Sequence, residues 1–324
     1  MSEHPQDHGW RDIYSGLANA INDDPEPLMV LVNAIPGVQS LAPAYIIGLT
    51  AISLQQLWHS QGRAGHRRLP GDAIIRLATD CRSELGSILA KHRNSFTGVR
   101  RFLGPQVLLA RHFARYGGGP VNILDIGTGI GILPRQLDSR ACFERFAGDL
   151  AWPHESPVFA EIGIGDRFGL ELDPIPDLAW VHDCYGPSEY YDRLFAEMRS
   201  TLAIPEVRAV DFTFISQDAR DLHGLARLIA DKNVSAVTAV YSLYQYLPPV
   251  RQAIADTIHR SLPGGGIFID IEPHPTLDQP GCLVEAWIGG VRDKLTVCVV
   301  SDGHFRGSVT AAADYDRFTG IWRQ

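Results

Sequence analysis

The chain has 324 residues, 45% of them hydrophobic and 20% charged, and its formal net charge is −8. That length suits one large domain with an appendage, or two domains, and the composition is ordinary for a globular protein. The negative charge disfavours a nucleic-acid partner, and five scattered cysteines without a CxxC pair favour free thiols in a cytoplasmic setting over disulfides or a zinc site.

The N-terminal part of the chain carries no targeting or membrane signal. Residues 1–8 have neither a basic start nor an apolar core, so a signal peptide is not expected. The apolar stretch Leu28–Leu57 is interrupted by Asn33, Pro36, Gln39 and Pro43 before it reaches the roughly 20 residues that span a bilayer. We therefore expect buried helices here and no membrane partner.

Residues 1–116 are predicted to form an N-terminal helical cap domain. Apolar residues recur there at three- and four-residue intervals, and no convincing strand is visible. Asn94, Arg100 and Arg101 could belong to a cap over a substrate, or they could be surface charges. The run Tyr116–Pro120 contains three consecutive glycines and ends the helical pattern. We place the boundary there, so that residues 117–324 form a second domain.

The second domain alternates short apolar runs with helical patterns, which predicts an α/β fold with a parallel sheet. The predicted strands are Val121–Ile126, Phe168–Leu172, Thr213–Ser216, Ala236–Tyr241 and Gly266–Ile271. A helix is predicted over Arg251–Leu262. Two β-rich runs, Leu295–Val300 and Phe305–Thr310, are joined through an Asp-Gly turn and predict a final antiparallel hairpin.

A glycine-rich loop follows the first predicted strand and contains Asp125, Gly127, Thr128, Gly129 and Gly131. Ligands of open α/β sheets bind outside the carboxyl ends of the strands, and glycines let the loop backbone approach them. Asp125 can accept hydrogen bonds from loop amides or from an ammonium group of a ligand. The spacing is G-x-G-x-G, whereas dinucleotide sites use G-x-G-x-x-G. The alternative is a tight turn without a ligand.

Acidic residues close the next two predicted strands. Glu171, in preference to Asp173, can bind two ribose hydroxyls; the alternative is a solvated charge at the sheet edge. Asp218, followed by Ala219, is placed to accept a hydrogen bond from an adenine amino group. The alternative for Asp218 is an N-cap of a helix that begins at Ala219.

These features resemble, in their order along the chain, the class I S-adenosylmethionine-dependent methyltransferases over roughly residues 121–310. The features are the glycine loop, Glu171, Gln217-Asp218-Ala219, the tyrosine-rich end of the fourth strand and Leu262-Pro263-Gly264-Gly265-Gly266. The resemblance implies a Rossmann-like sheet ending in an antiparallel hairpin, with S-adenosyl-L-methionine as cofactor. It places the amino-acid part of the cofactor over Asp125–Gly131, the ribose on Glu171, and the adenine beside Asp218 and Ala219.

A more specific likeness involves Gly169–Ile175 and Tyr246–Pro249. These segments, and the distance from the first to the glycine loop, are similar to a bacterial methyltransferase-like family of unknown function with a helical N-terminal region. The loop here reads Gly-Thr-Gly-Ile-Gly, where that family favours a Ser-Ala-Gly version. The difference moves the loop toward the standard cofactor loop, and it puts a shared substrate in doubt.

The distance between the glycine loop and Glu171 is unusually long. Asp125 and Glu171 are 46 positions apart, about twice the length of a helical crossover plus a strand. The excess, roughly Phe146–Asp166, predicts a loop or hairpin over the mouth of the site. A surface loop without a function is the alternative.

Candidates for catalysis cluster after the fourth predicted strand. Methyl transfer depends mainly on alignment of the acceptor, so a dedicated base is optional. Tyr241 is expected to pack on the cofactor, and Tyr244 or Gln245 to orient an acceptor. The alternative is that these tyrosines are amphipathic wall residues with solvated hydroxyls.

A general base, if one is used, is predicted to be His182, because it neighbours Asp183 and histidine exchanges protons near neutral pH. A structural histidine is the alternative. Glu272 and His274 are further candidates at the same sheet edge. No histidine pair has the spacing of a metal site within a firm helix, so no catalytic metal is expected.

The sequence therefore predicts a cytoplasmic, bacterial S-adenosylmethionine-dependent methyltransferase that modifies an oxygen or nitrogen atom of a small-molecule acceptor. A homodimer is left open. One alternative is a cofactor-binding or interaction protein that keeps the fold without turnover. Another is a nicotinamide-dependent oxidoreductase.

Overall fold

The computed structural model of the chain describes residues 8–60, 71–91, 98–116, 119–148, 150–154, 156–172, 178, 189–273 and 281–320. The chain divides into two compact units. The first, the helical unit, takes residues 1–96, 176–196 and 245–247; the second, the sheet unit, takes residues 97–175, 197–244 and 248–324. This division differs from the predicted boundary at residue 116, because residues 97–116 belong to the sheet unit.

The helical unit contains amphipathic helices that pack through their apolar faces. They are α1 (His8–Asp23), α2 (Glu26–Val32), α3 (Pro43–Ser60), α4 (Gly71–Asp80) and α5 (Arg82–Lys91). In α4, Ile74, Leu77 and Ala78 are buried at helical spacing, and α4 contacts α1 and α2. Gly71 permits the close approach of α4 to α1, since a Cβ there would lie 3.0 Å from the backbone nitrogen of Ala20.

The sheet unit is built on a single eight-stranded sheet. Its strands are β1 (Val121–Ile126), β2 (Ile164–Glu171), β3 (Thr213–Ser216), β4 (Val234–Val240), β5 (Ile267–Pro273), β6 (Cys282–Ile288), β7 (Leu295–Val300) and β8 (Val309–Ala311). The spatial order is β3-β2-β1-β4-β5-β6-β7-β8. The first five strands in this order are parallel to one another, whereas each of β6, β7 and β8 is antiparallel to the strand before it. The predicted fold class, a Rossmann-like α/β sheet that ends in antiparallel strands, is confirmed.

The remaining described helices are α6 (Leu103–Tyr116), α7 (Ile132–Gln136), α8 (Arg140–Phe146), α9 (Glu189–Leu202), α10 (Pro205–Arg208), α11 (Leu222–Asp231), α12 (Pro248–Ser261) and α13 (Tyr315–Gly320). Packing explains why α6 belongs to the sheet unit. Its Gly104 lies so close to Phe305 that a Cβ would come 2.7 Å from the ring, and Leu108 is fully buried. The side-chain amide of Gln106 donates to the carbonyl of Ala160 at 2.8 Å.

The register of the parallel strands brings their carboxyl ends to one edge of the sheet. Asp125 on β1 pairs with Gly169 on β2 and with Thr238 on β4. Glu171 at the end of β2 pairs with Ser216 at the end of β3. The segments that follow β1 to β5 therefore begin at the same edge, which we call the carboxyl edge.

The antiparallel part of the sheet differs in two ways from the predicted hairpin. Strand β6, which was not predicted, pairs with both β5 and β7, so the extension has three strands. Strand β8 begins at Val309, later than the predicted start at Phe305. The reason is a turn in which the Asp302 carboxylate accepts hydrogen bonds from the amides of His304 and Arg306, and Phe305 adopts a left-handed conformation.

The segment between α8 and β2, predicted as a loop or hairpin, forms a loop in its described residues. At one end, the carbonyl of Ala151 accepts a hydrogen bond from the amide of Val309. At the other end, the Asp138 carboxylate accepts from the amides of Ile162, Gly163 and Ile164 at 2.7–3.0 Å. Since Ile164 starts β2, this second attachment lies at the edge of the sheet opposite to the glycine loop.

The helices described here include none that is long and apolar enough to cross a membrane.

Replacement of Asp138 by alanine is expected to lower the free energy of unfolding by about 2–4 kcal/mol, because it removes three hydrogen bonds to a carboxylate and places alanine at φ 61°. Asp138→Asn should lower the free energy of unfolding by less, since asparagine tolerates the left-handed conformation. Urea denaturation measures both, with the exposed Asp231→Ala as the control. Equal stability of Asp138→Ala and the control would contradict the assigned role.

Candidate functional site

The glycine loop after β1 depends on left-handed backbone conformations. The φ angles of Gly127, Gly129 and Gly131 are 69°, 55° and 70°. Residues with a Cβ pay roughly 1–2 kcal/mol each for this conformation, so glycine is strongly favoured at all three positions. The amides of Gly127 and Thr128 both donate to the carbonyl of Leu170 on β2, which fixes the loop to the neighbouring strand.

Two of these glycines also make room for protein side chains. A Cβ at Gly127 would lie only 2.4 Å from the Cβ of Ser242, which follows β4. A Cβ at Gly131 would lie 2.8 Å from the ring of Phe212, and the same ring lies against Gly169. Gly131 was predicted to open the loop for a ligand. The structure shows that its nearest neighbour is the Phe212 ring.

Glu171 and the glycine loop meet directly. One carboxylate oxygen of Glu171 accepts a hydrogen bond from the amide of Gly129 at 3.3 Å, and the other accepts from the amide of Leu172 at 3.2 Å. The side chain is half-buried. The structure therefore places these two predicted elements in contact at the carboxyl edge, and Glu171 is not a charge that only solvent surrounds.

Asp125 is almost completely buried at the end of β1. The hydroxyl of Thr238 on β4 donates to its carboxylate at 2.7 Å. Burial raises the pKa of Asp125 to about 7, and the hydrogen bond from Thr238 opposes this shift. The residue that sequence reasoning missed here is Thr238. Its only signal was a polar residue within the mainly apolar strand β4.

Asp218 follows β3, but its carboxylate is already engaged. The guanidinium of Arg220 contacts both carboxylate oxygens at 2.6–3.0 Å, and the amide of Arg220 donates to one of them at 2.8 Å. The alternative prediction, an N-cap by Asp218, is wrong. Helix α11 begins at Leu222, and its cap is Asp221, which accepts from the amide of Gly224. Ala219 is buried beside this turn.

Tyr241, the first residue after β4, has an unusual backbone conformation and a ring that contacts three other side chains. Its φ is 56°, which is uncommon for a bulky residue and points to a local constraint. The guanidinium carbon of Arg101 lies 4.0 Å from the ring centroid, and the hydroxyl lies 2.6 Å from the sulfur of Cys282. The ring of Tyr244 meets it edge-on at 5.9 Å. Arg101 is 3% exposed, so the interpretation of this residue as a surface charge is wrong.

Glu272 on β5 holds the turn that carries Tyr241. One of its carboxylate oxygens accepts from the amides of Ser242 and Leu243 at 2.8 and 2.6 Å. Burial raises the pKa of Glu272, and the neighbouring Asp270 raises it further, whereas Arg251 opposes the shift. Ser242 had no sequence signal, because its part in the site comes from contacts across strands.

Several buried polar atoms at the carboxyl edge have no hydrogen-bond partner within the described part of the chain. They include the side-chain nitrogen of Gln217 after β3, the hydroxyl of Ser242 after β4 and the second carboxylate oxygen of Glu272 on β5. Each unsatisfied buried group of this kind costs about 1–3 kcal/mol. Such groups are the ones that a polar ligand or an ordered water satisfies.

Several predicted residues cannot be placed in this site. His182, His274, Asp173 and Asn94 lie outside the described residues. Gln245 belongs to the helical unit, where its carbonyl accepts from the amide of Ala42 at 2.7 Å. Among the residues that the structure describes, no group of three or more His, Cys, Asp or Glu side chains could hold a metal ion.

No protein-family model and no curated protein match the chain. Solved structures do match. The rRNA methyltransferase aviRa from Streptomyces viridochromogenes is 14% identical with a TM-score of 0.35, over 69% of this chain and 89% of its own. The complex of PigF with SAH is 17% identical with a TM-score of 0.24, over 82% of this chain and 73% of its own. An S-adenosylmethionine-dependent methyltransferase from Clostridium acetobutylicum is 11% identical with a TM-score of 0.26, over 74% of this chain and 86% of its own.

These likenesses concern the fold alone. The order and direction of the eight strands establish the fold class independently of them.

Replacement of Gly127 by alanine is expected to lower the free energy of unfolding by about 2–4 kcal/mol, since the new methyl group would clash with Ser242 in a left-handed conformation. Gly264→Ala in the same unit is the control, because no atom lies within 4 Å of its Cβ position. Denaturant unfolding compares the two variants. A Gly127→Ala protein as stable as Gly264→Ala would show that the loop conformation is assigned wrongly.

Asp125 is expected to make the protein less stable as the pH rises from about 4 to about 7. The folded state keeps the carboxyl proton up to a pKa of about 7 while the unfolded state loses it near 3.8, so the folded state binds more protons across this range. The stability of Asp125→Asn relative to wild type should therefore rise by up to about 1.4 kcal/mol per pH unit and level off above pH 7.

Unfolding free energies measured between pH 4 and pH 9 test this expectation. Thr238→Val provides a second variant. It removes the hydrogen bond that lowers the pKa of Asp125, so the decline in stability should extend to higher pH. A constant difference between Asp125→Asn and wild type at all pH values would contradict the assignment.

Proposed function

We propose that this chain is an S-adenosylmethionine-dependent methyltransferase that modifies an oxygen or nitrogen atom of a small-molecule acceptor. One observation carries the proposal: the Gly129 amide and the Glu171 carboxylate are in contact at the carboxyl edge. A loop free of side chains and a carboxylate at the next strand end are the two parts that an adenosyl ligand needs on an open sheet.

The polar groups of this edge fit such a ligand. The contacts of Glu171 with the amides of Gly129 and Leu172, 3.3 and 3.2 Å, are long for hydrogen bonds to a carboxylate, so ribose hydroxyls can replace them at little cost. The unpartnered groups of Gln217, Ser242 and Glu272 supply further hydrogen-bonding capacity. The cofactor supplies a methyl group that is already activated on a sulfonium sulfur.

The roles proposed for the other carboxylates follow from their contacts. Asp125 is buried against Thr238, so it supports the start of the loop, and an interaction with the ammonium group of the ligand would require access to its second oxygen. Asp218 would have to share its carboxylate between adenine and Arg220. The backbone of Ala219 is then proposed as a further partner for the adenine ring.

In catalysis, the role of this protein is to align the acceptor and to exclude water. Alignment alone can provide roughly 7–11 kcal/mol of the barrier reduction. The ring of Tyr241 is held by Arg101 and Cys282, which makes it a rigid wall, and Tyr244 beside it is our candidate for orienting the acceptor. His182 remains a predicted general base.

The acceptor class rests on charge. One of the similar structures is an rRNA methyltransferase. The present chain carries a net charge of −8, which repels an RNA backbone, so we propose a small molecule and no nucleic acid. A homodimer is compatible with this proposal.

Replacement of Glu171 by alanine is expected to weaken binding of S-adenosylhomocysteine at least about tenfold, because two ribose hydroxyls lose a charged acceptor worth about 1.5–3 kcal/mol. Isothermal titration calorimetry measures the dissociation constant. Glu144→Ala is the control, since Glu144 is exposed and forms only a surface ion pair with Arg140.

Transfer of a radiolabelled methyl group to a pool of small molecules, with structured RNA as a second pool, then identifies the acceptor class. Failure of the wild-type chain to bind S-adenosylhomocysteine would contradict the proposal. Binding of a nicotinamide cofactor that is lost in Glu171→Ala would replace it with the oxidoreductase alternative.

A further inference from the structure

Glu272 makes the main hydrogen bonds between the end of β5 and the turn after β4. A single oxygen of its carboxyl group accepts from two consecutive amides, those of Ser242 and Leu243. Glu272 is fully buried, so these hydrogen bonds form away from water, where they are stronger and their loss is more costly. Two contacts with β5 therefore hold this turn: the Glu272 side chain and the hydrogen bond from the Tyr241 amide to the carbonyl of Ile271.

The same turn connects to the predicted ligand site at two points. Ser242 packs against Gly127, whose missing Cβ would otherwise lie 2.4 Å away. Tyr241, immediately before it, is held in a left-handed conformation. A shift of the turn would thus move the glycine loop and the tyrosine wall together.

Glu272 does not have a cation of its own among the described residues. Arg251 contacts Asp270 at 2.7 Å and lies 4.0 Å from Glu285, and Lys294 also pairs with Glu285. These two cations thus serve the other two carboxylates of the cluster. A fully buried carboxyl group beside Asp270 is favoured as the neutral acid, in agreement with its raised pKa.

We propose that Glu272 is a positioning residue of the methyltransferase site, which holds the Tyr241–Leu243 turn against the glycine loop. This role rests on the proposed function, and it is carried out by the neutral acid, whose carbonyl oxygen accepts from both amides. The hydroxyl of the acid corresponds to the oxygen that has no partner among the described residues. Glutamine has the same shape and the same acceptor, so it should replace this residue without loss.

Three variants separate positioning from acid–base chemistry. Glu272→Gln keeps the reach and the acceptor, Glu272→Asp keeps the acid but retracts it by one methylene, and Glu272→Ala removes both. For a positioning role, glutamine retains function and aspartate and alanine lose it. A general base would show the opposite order, with aspartate more active than glutamine. Glu285→Gln is the control for damage to the charge cluster, because Glu285 bonds Lys294 and does not contact the turn.

Hydrogen exchange at the Ser242 and Leu243 amides tests the contact without any ligand. We expect exchange in Glu272→Gln and Glu285→Gln within about threefold of wild type, and at least about tenfold faster exchange in Glu272→Ala and Glu272→Asp, since the two amides lose their acceptor. Unchanged amides of β1 show that each variant is folded. Unchanged exchange at Ser242 and Leu243 in Glu272→Ala would overturn the proposal.

Binding of S-adenosylhomocysteine links the turn to the site. Glu272→Ala and Glu272→Asp should bind at least about tenfold more weakly than Glu272→Gln, which corresponds to about 1.4 kcal/mol. Equal affinity of all three variants would overturn the positioning role even if exchange changes as expected. If the wild-type chain does not bind the ligand, the proposed function fails, whereas hydrogen exchange still decides whether Glu272 holds the turn.

Discussion

The contact between the Gly129 amide and the Glu171 carboxylate joins two parts of the chain that are 42 residues apart in sequence. It forms because β1 and β2 are parallel neighbours in register, so the residues that follow Ile126 and Glu171 emerge side by side. Everything proposed about the site depends on this arrangement. A shift of the register by one residue would turn Glu171 to the other face of the sheet and leave the glycine loop without its acidic partner.

The carboxyl edge contains several carboxyl groups that lie in different environments. Asp218 forms an ion pair with Arg220, Glu171 accepts from backbone amides, and Asp125 is buried with a raised pKa. Glu272 is buried as well and is bonded to a turn. These differences follow from depth. Glu171 and Asp218 lie near the surface with polar partners, whereas burial of Asp125 and Glu272 raises the pKa of each because it penalises the ionised form.

Local patterns in the sequence predicted the parallel strands well. The bounds of β1 and β3 were correct, because short apolar runs there end abruptly at polar or glycine residues. Strand β6 was missed, since Glu285 interrupts its apolar run and the partner that pairs with this charge, Lys294, lies outside the strand. The division of the chain into two units differs from the predicted boundary at residue 116, because three consecutive glycines mark the end of α6, whereas tertiary contacts of Gly104 and Gln106 assign that helix to the sheet unit.

The candidate site was predictable where it depends on chain order and not where it depends on cross-strand contacts. The glycines and Glu171 were predicted from their positions at strand ends, and the structure brings them together. Thr238, Ser242 and Phe212 had no comparable signal, because their importance comes from which atoms they touch across the sheet. For the same reason Gly131 was assigned to a ligand, although its neighbour is Phe212.

A crystal structure of the protein with S-adenosylhomocysteine would locate the ligand relative to Glu171. We predict density for the adenosyl group at the carboxyl edge, with the ribose hydroxyls on the Glu171 carboxylate in place of the Gly129 amide, and the amino-acid part over Gly127–Gly129. Density for the ligand at any other place on the sheet unit, with the Gly129–Glu171 contact unchanged, would contradict it.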